Sequence, residues 1–176
     1  MKNHNAESKT INSFLKRLMS LTILLIMMSP FLTNAQSGKV NFSGTWVMNA
    51  EKSTQPEGGG GMRMGGGNFV AKQEANLLTV DRTRTNQNGE TVTTTMKYTL
   101  DGKESINTSQ RGDSKSVATW SSDGKTLNIT TSRTTQYGEM KTTEKWTLTD
   151  EKTISIVTTF TTQDGDRTAT IIYDKK

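Results

Sequence analysis

The chain has 176 residues, a formal net charge of +5, no cysteine and a single histidine. Without cysteine there is neither a disulfide framework nor thiol chemistry. His4 lies in a leader-like N-terminus, so the rest of the chain has no Ser-His-Asp or Cys-His triad, no His-ligated zinc and no His-held haem.

Lys16 and Arg17 precede an apolar run over 18–28, followed by Pro30 and the triplet Thr33, Asn34, Ala35. Charge, apolar stretch and small residues in that order form the pattern of a secretory signal peptide. The run falls short of the ~20 apolar residues of a membrane-spanning helix. Cleavage is expected after Ala35, giving a signal peptide over 1–35 and one domain over 36–176 that is exported, periplasmic or secreted, with no stable membrane insertion. Lys2, Lys9, Lys16, Arg17 and Glu7 leave with the leader, and the net charge falls from +5 to +2. The basic balance is therefore partly a targeting feature and no argument for nucleic acid.

The first element of the domain is a strand over 43–48. Phe42, Gly44, Trp46 and Met48 alternate onto one face, and Gly44 is expected to let another backbone approach while the indole fills a gap. Glu51 to Asn68 carries seven glycines, too many for a helix or strand, and reads as a flexible loop over 51–68. It lacks the Gly-Lys-Ser/Thr of a phosphate loop, and Met62 and Met64 alone are a thin basis for copper. From Phe69 onward, turn signals recur at Asn86–Gly89, Asp101-Gly102, Arg111–Asp113, Asp123-Gly124, Tyr137-Gly138, Thr149–Lys152 and Asp164-Gly165. Their spacing of roughly 10–14 residues is the rhythm of antiparallel hairpins. Strands are predicted over 69–74, 77–85, 91–100, 104–109, 115–121, 126–135, 139–149, 153–162 and 167–174. The fold class is all-β, a single up-and-down meander of about ten strands. Closure into a barrel removes exposed edges; an open or flattened barrel and a β-sandwich are the alternatives.

Period two sorts the side chains. One face carries Val92, Thr94, Met96, Tyr98 and Leu100; the next carries Leu127, Ile129, Thr131 and Arg133. Met140, Thr142, Glu144, Trp146 and Leu148 share a third, and Ile154, Ile156, Thr158, Phe160 and Thr162 a fourth. Polar residues within apolar faces admit two readings. Arg133, Glu144 and Tyr98 line a partly hydrated cavity, or the charges pair with each other or lie in water at strand ends. The opposite faces, rich in Lys and Thr, read as solvated exterior.

The stretch Phe42 to Met48, with Gly44-x-Trp46, resembles the opening of fatty-acid-binding proteins and the wider lipocalin (calycin) group. Ala169 to Lys175 resembles the last strand of fatty-acid-binding proteins, and the whole is similar to small exported lipocalin-like proteins of Bacteroidota. The resemblance implies a lipocalin-like barrel with Trp46 at its floor and a small apolar or amphipathic ligand in its lumen. It also implies that Tyr173 matches the family's final Tyr, that Ile171 stands where the family has its carboxylate-binding Arg, and that Arg167 stacks across Trp46. The candidate ligand-binding residues are Trp46, Tyr98, Arg133, Glu144, Arg167 and Tyr173, with no catalytic residue, metal or cofactor. The expected partner is a small lipophilic ligand. The alternative is a solid barrel that meets an envelope protein as a structural or interaction module, or inhibits a protease. Arg111–Asp113 matches an integrin tripeptide that a turn explains, and Asp164 with Asp166 lacks the rest of a calcium loop.

Overall fold

Alternating apolar and polar residues between closely spaced turns build one meander. The computed structural model describes residues 38–54, 67–85, 88–109, 112–136, 138–162 and 165–176. The leader, most of the Gly-rich stretch with Met62 and Met64, Arg111 and Asp164 lie outside the described residues. The strands are β1 (Gly44–Thr54), β2 (Phe69–Gln73), β3 (Leu77–Thr85), β4 (Thr91–Thr99), β5 (Glu104–Ser109), β6 (Gly112–Trp120), β7 (Thr126–Thr135), β8 (Gly138–Asp150), β9 (Thr153–Thr162) and β10 (Gly165–Lys175). No helix occurs among the described residues. All ladders are antiparallel, and the sheet order β4-β3-β2-β1-β10-β9-β8-β7-β6-β5 joins the two chain ends through β1 and β10. The result is a nearly closed up-and-down barrel whose seam lies between β4 and β5.

The expected strands recur within a few residues, with one extension of consequence. β1 continues to Thr54, into the stretch expected to be loop. Its register with β10 slips between Asn49 and Thr54, and side chains hold the irregular part. Ser53 Oγ donates to Asn49 O at 2.6 Å and accepts from Ile172 N at 3.0 Å, while Asn49 Nδ2 donates to Asp174 at 2.6 Å.

The ladder registers stack the interior in layers. Leu127, Trp146, Ile156 and Ile171 form one row across β7–β10. Ile129, Glu144, Thr158 and Ala169 form the next, then Thr131, Thr142, Phe160 and Arg167, and last Arg133 beside Met140. The first row is fully buried and the last two are half-buried or exposed. The interior thus grades from a dry floor to a wet mouth along one axis. Each fully buried large apolar side chain in the floor contributes about 1.5–3 kcal/mol.

The floor is completed from outside the sheet. The segment 38–43 crosses beneath the β6–β7 turn, where Val40 N donates to Gly124 O at 3.0 Å. Gly124 has φ +69°, and a Cβ there would lie 2.5 Å from Gly38 O, so only glycine fits. Gln73 clamps the segment: its Oε1 accepts from Phe42 N at 2.9 Å and its Nε2 donates to Val40 O at 3.0 Å. Phe42, fully buried, stacks on Trp120 at 5.8 Å and meets Trp146 edge-on at 5.8 Å. Trp46 lies beside it, its Nε1 donating to Phe42 O at 2.9 Å.

Candidate functional site

Above the floor sits a polar cluster. The alternation that buries Leu78 and Val80 on β3 also turns Arg82 inward, and that of β8 turns Glu144 inward beneath Thr142. Arg82 Nη2 lies 3.4 Å from Glu144 Oε1, with side chains 23% and 20% exposed. Trp146 Nε1 donates to the other Glu144 oxygen at 3.0 Å. The Arg82 guanidinium also rests over the rings of Phe69 at 5.1 Å and Trp146 at 5.7 Å, and Tyr173 acts on its charge. Burial opposes the Arg82 charge, but Glu144, Tyr173 and Tyr98 outweigh it and hold its pKa above the ordinary value.

Tyr98 and Tyr173 complete the cluster, 5% and 1% exposed. Burial first, and Glu144 second, push the Tyr98 phenol well above its usual range, with Arg82 opposing. Burial also raises Tyr173, against the pull of Arg82. Unfolded tyrosine ionises near pH ~10, whereas folded Tyr98 stays neutral there. The stability this group contributes is therefore complete below that pH and is lost as pH climbs from it toward the folded pKa. The loss is at most about 1.4 kcal/mol per pH unit. Urea denaturation from about pH 8 to 12 is expected to show this decline, and Tyr98→Phe to make it shallower.

Beyond the cluster, toward the mouth, lies a cavity of about 240 Å³ lined by Met96, Ser114, Thr131, Arg133, Met140, Thr142 and Phe160. The volume is somewhat below the ~300 Å³ at which small-molecule sites usually begin. Its polar walls are partly committed: Thr131 and Ser116 share a 2.8 Å hydroxyl contact, and Ser114 Oγ donates to Asn107 O at 3.1 Å. Arg133 is not. Its Nε is buried without a hydrogen-bond partner, and no ion pair involves it among the described residues.

The candidates from sequence thus separate. Arg133 lines the cavity. Glu144, Tyr98 and Tyr173 belong to the polar cluster beneath it, and Trp46 to the floor. Of the inward charges, Arg133 faces a cavity and Glu144 is paired, with Arg82 and not with Arg133. Arg167 does not reach Trp46. Trp46 is registered with Lys175, eight residues further along β10 and therefore about 26 Å away at strand spacing. Lys175 occupies the cation position, its Nζ 5.4 Å from the Trp46 ring centroid. It passes over Gly44, where a Cβ would lie 2.5 Å from Lys175 Cε. Gly44 therefore makes room for a side chain, not the expected backbone. Arg167 pairs with Phe160 and is exposed at the mouth. Arg82 was missed, although the same period-two count over 77–85 reveals it.

Away from the floor, where Lys175 covers Trp46 from an inward position of β10, charge is partitioned by residue type. All four described arginines, Arg82, Arg84, Arg133 and Arg167, occupy inward-facing strand positions. Lys72, Lys97, Lys115, Lys141 and Lys145 occupy outward ones. Glu144 is the only inward carboxylate among the described strand residues of the mouth half, and Arg82 already holds it. The inward faces of the mouth half therefore carry more arginine than carboxylate.

No family model and no curated protein matches the chain. Among solved structures, a redesigned β-barrel aligns over 76% of this chain and 90% of its own, with 15% identity and a TM-score of 0.42. Zebrafish ileal bile acid-binding protein, complexed with cholic acid, aligns over 77% of this chain and 98% of its own, with 16% identity and a TM-score of 0.49.

Proposed function

We propose that the domain over 36–176 is an exported binding module, periplasmic or secreted, that holds a small amphipathic anion in the mouth half of its barrel. The observation that carries this reading is the cavity in which Met96, Met140 and Phe160 flank a guanidinium with an unpartnered buried Nε. A buried donor without a partner is costly, and an anionic oxygen satisfies it. Arginine suits carboxylate, sulfonate and phosphate groups through its planar fork of donors. The thioethers and the phenyl ring supply the apolar contact, and the modest volume favours a small ligand or one whose tail leaves through the mouth.

Native mass spectrometry of the processed protein, purified gently from its own host's envelope and followed by organic extraction, tests this. A reproducible bound acid is expected. Arg133→Gln is expected to weaken its binding about tenfold to a hundredfold, the value of a charge-assisted hydrogen bond. A clean unliganded mass, with no binding of added amphipathic acids, would overturn the reading. It would turn attention to the filled floor and the Thr- and Lys-rich exterior as those of an envelope interaction module.

A further inference from the structure

The barrel wall is not uniform around the cavity. No backbone ladder joins β4 to β5, the two ends of the sheet order. The wall there is held by side chains. Asn107, buried on β5, accepts from Lys97 N at 2.8 Å and donates to Lys97 O at 3.0 Å. It thereby satisfies both backbone groups that a neighbouring strand would otherwise satisfy. Ser105 Oγ accepts from Thr99 N at 2.8 Å, nearer the turn. That turn is itself firmly tied. Asp101 accepts from Lys103 N and pairs with Lys103 Nζ at 3.0 Å, and these bonds hold its carboxyl down to about 2.

The cavity lies directly behind this seam. Met96, one residue before Lys97, forms its β4 wall, and Ser114, bonded to Asn107 O, forms its β6 wall. From these contacts, and resting on the reading that the cavity binds an amphipathic anion, we infer that the ligand enters sideways between β4 and β5, with Asn107 as the latch. Opening a laddered pair of strands breaks a cooperative row of backbone bonds. Opening this seam on its mouth side breaks the two bonds of one amide side chain, while the Ser105–Thr99 contacts and the Asp101-Gly102 turn remain as hinge. Ser114 stays bonded to the Asn107 backbone carbonyl and laddered to it, so the β6 wall of the cavity adjoins the strand that the latch releases.

Stopped-flow fluorescence with 1-anilinonaphthalene-8-sulfonate, an amphipathic anion that brightens in apolar surroundings, tests the assignment. Asn107→Ala is expected to raise association and dissociation rates together by about tenfold, while Kd stays within about twofold, because the latch acts on the path and not on the bound contacts. Hydrogen exchange at the Lys97 amide is expected to accelerate in parallel. If Asn107→Ala does not fold, Asn107→Asp serves: it keeps the acceptor for Lys97 N, loses the donor to Lys97 O, and is expected to shift both rates in the same direction. Faster Lys97 exchange with unchanged dye kinetics would overturn the side entry and assign passage to the barrel mouth, leaving the ligand reading intact. Absence of dye binding in the unmutated protein, or dye binding that Arg133→Gln leaves unchanged, would instead remove the ligand reading and this inference with it.

Discussion

Glu144→Gln is expected to destabilise the barrel by about 2–3 kcal/mol, more than an exposed ion pair would lose. The substitution keeps an acceptor for Trp146 Nε1 and nearly the same volume, so it isolates the charge. Arg82 remains between the rings of Phe69 and Trp146, a cation only 23% exposed that has lost its carboxylate. Leaving such a charge unpaired in a buried site costs about 3–5 kcal/mol in general, and the residual exposure of this pair places it at the lower end. The double variant Arg82→Met with Glu144→Gln carries the opposite expectation. Both desolvated charges disappear while the Trp146 indole keeps its acceptor, so stability should return to within about 1 kcal/mol of the parent. Urea midpoints at neutral pH check both, and the double variant decides the cause. If the single and double variants lose stability equally, packing and not charge holds the cluster.

Much of the architecture was legible in the sequence because its signal is local. Alternation of apolar residues between turn signals fixed strand limits such as 126–135 and 153–162, which recur unchanged. The same alternation put Met96, Arg133, Glu144 and Phe160 inside. What failed was relative placement. Arg167 was set across Trp46, whereas the β1–β10 register gives that place to Lys175. Register between the first and last strands is a property of closure, and no local pattern encodes it. The seam was hidden for a similar reason. Asp101-Gly102 reads as an ordinary hairpin turn, and nothing in 91–109 announces that the strands it joins are bridged by Asn107 and Ser105 and not by a ladder. The candidate site was half legible: Arg133 was found by its position on an apolar face, while the partner of Glu144 was not, because Arg82 reaches it from the far side of the lumen.

Phe42→Ala is expected to be the most damaging single truncation at the floor, at about 3–5 kcal/mol. Phe42 belongs to no strand of the sheet. Its segment is held by the Gln73 clamp and the single backbone bond to Gly124, and its ring is the apolar piece that seals the end of the barrel. Truncation removes the stack on Trp120 and the edge contact with Trp146 together. Two indoles would then border a void or water, and Trp120 Nε1 is already buried without a hydrogen-bond partner. Phe42 is fully buried between the two indoles, so truncation leaves a cavity that only a shift of those large rings could fill. Phe42→Leu should recover most of the loss by refilling the volume. Urea denaturation followed by tryptophan emission measures both quantities, and a red-shifted native spectrum in Phe42→Ala would report water at Trp120 and Trp146. A loss below about 1 kcal/mol with an unshifted spectrum would mean that the aromatic floor stands without the segment that precedes β1.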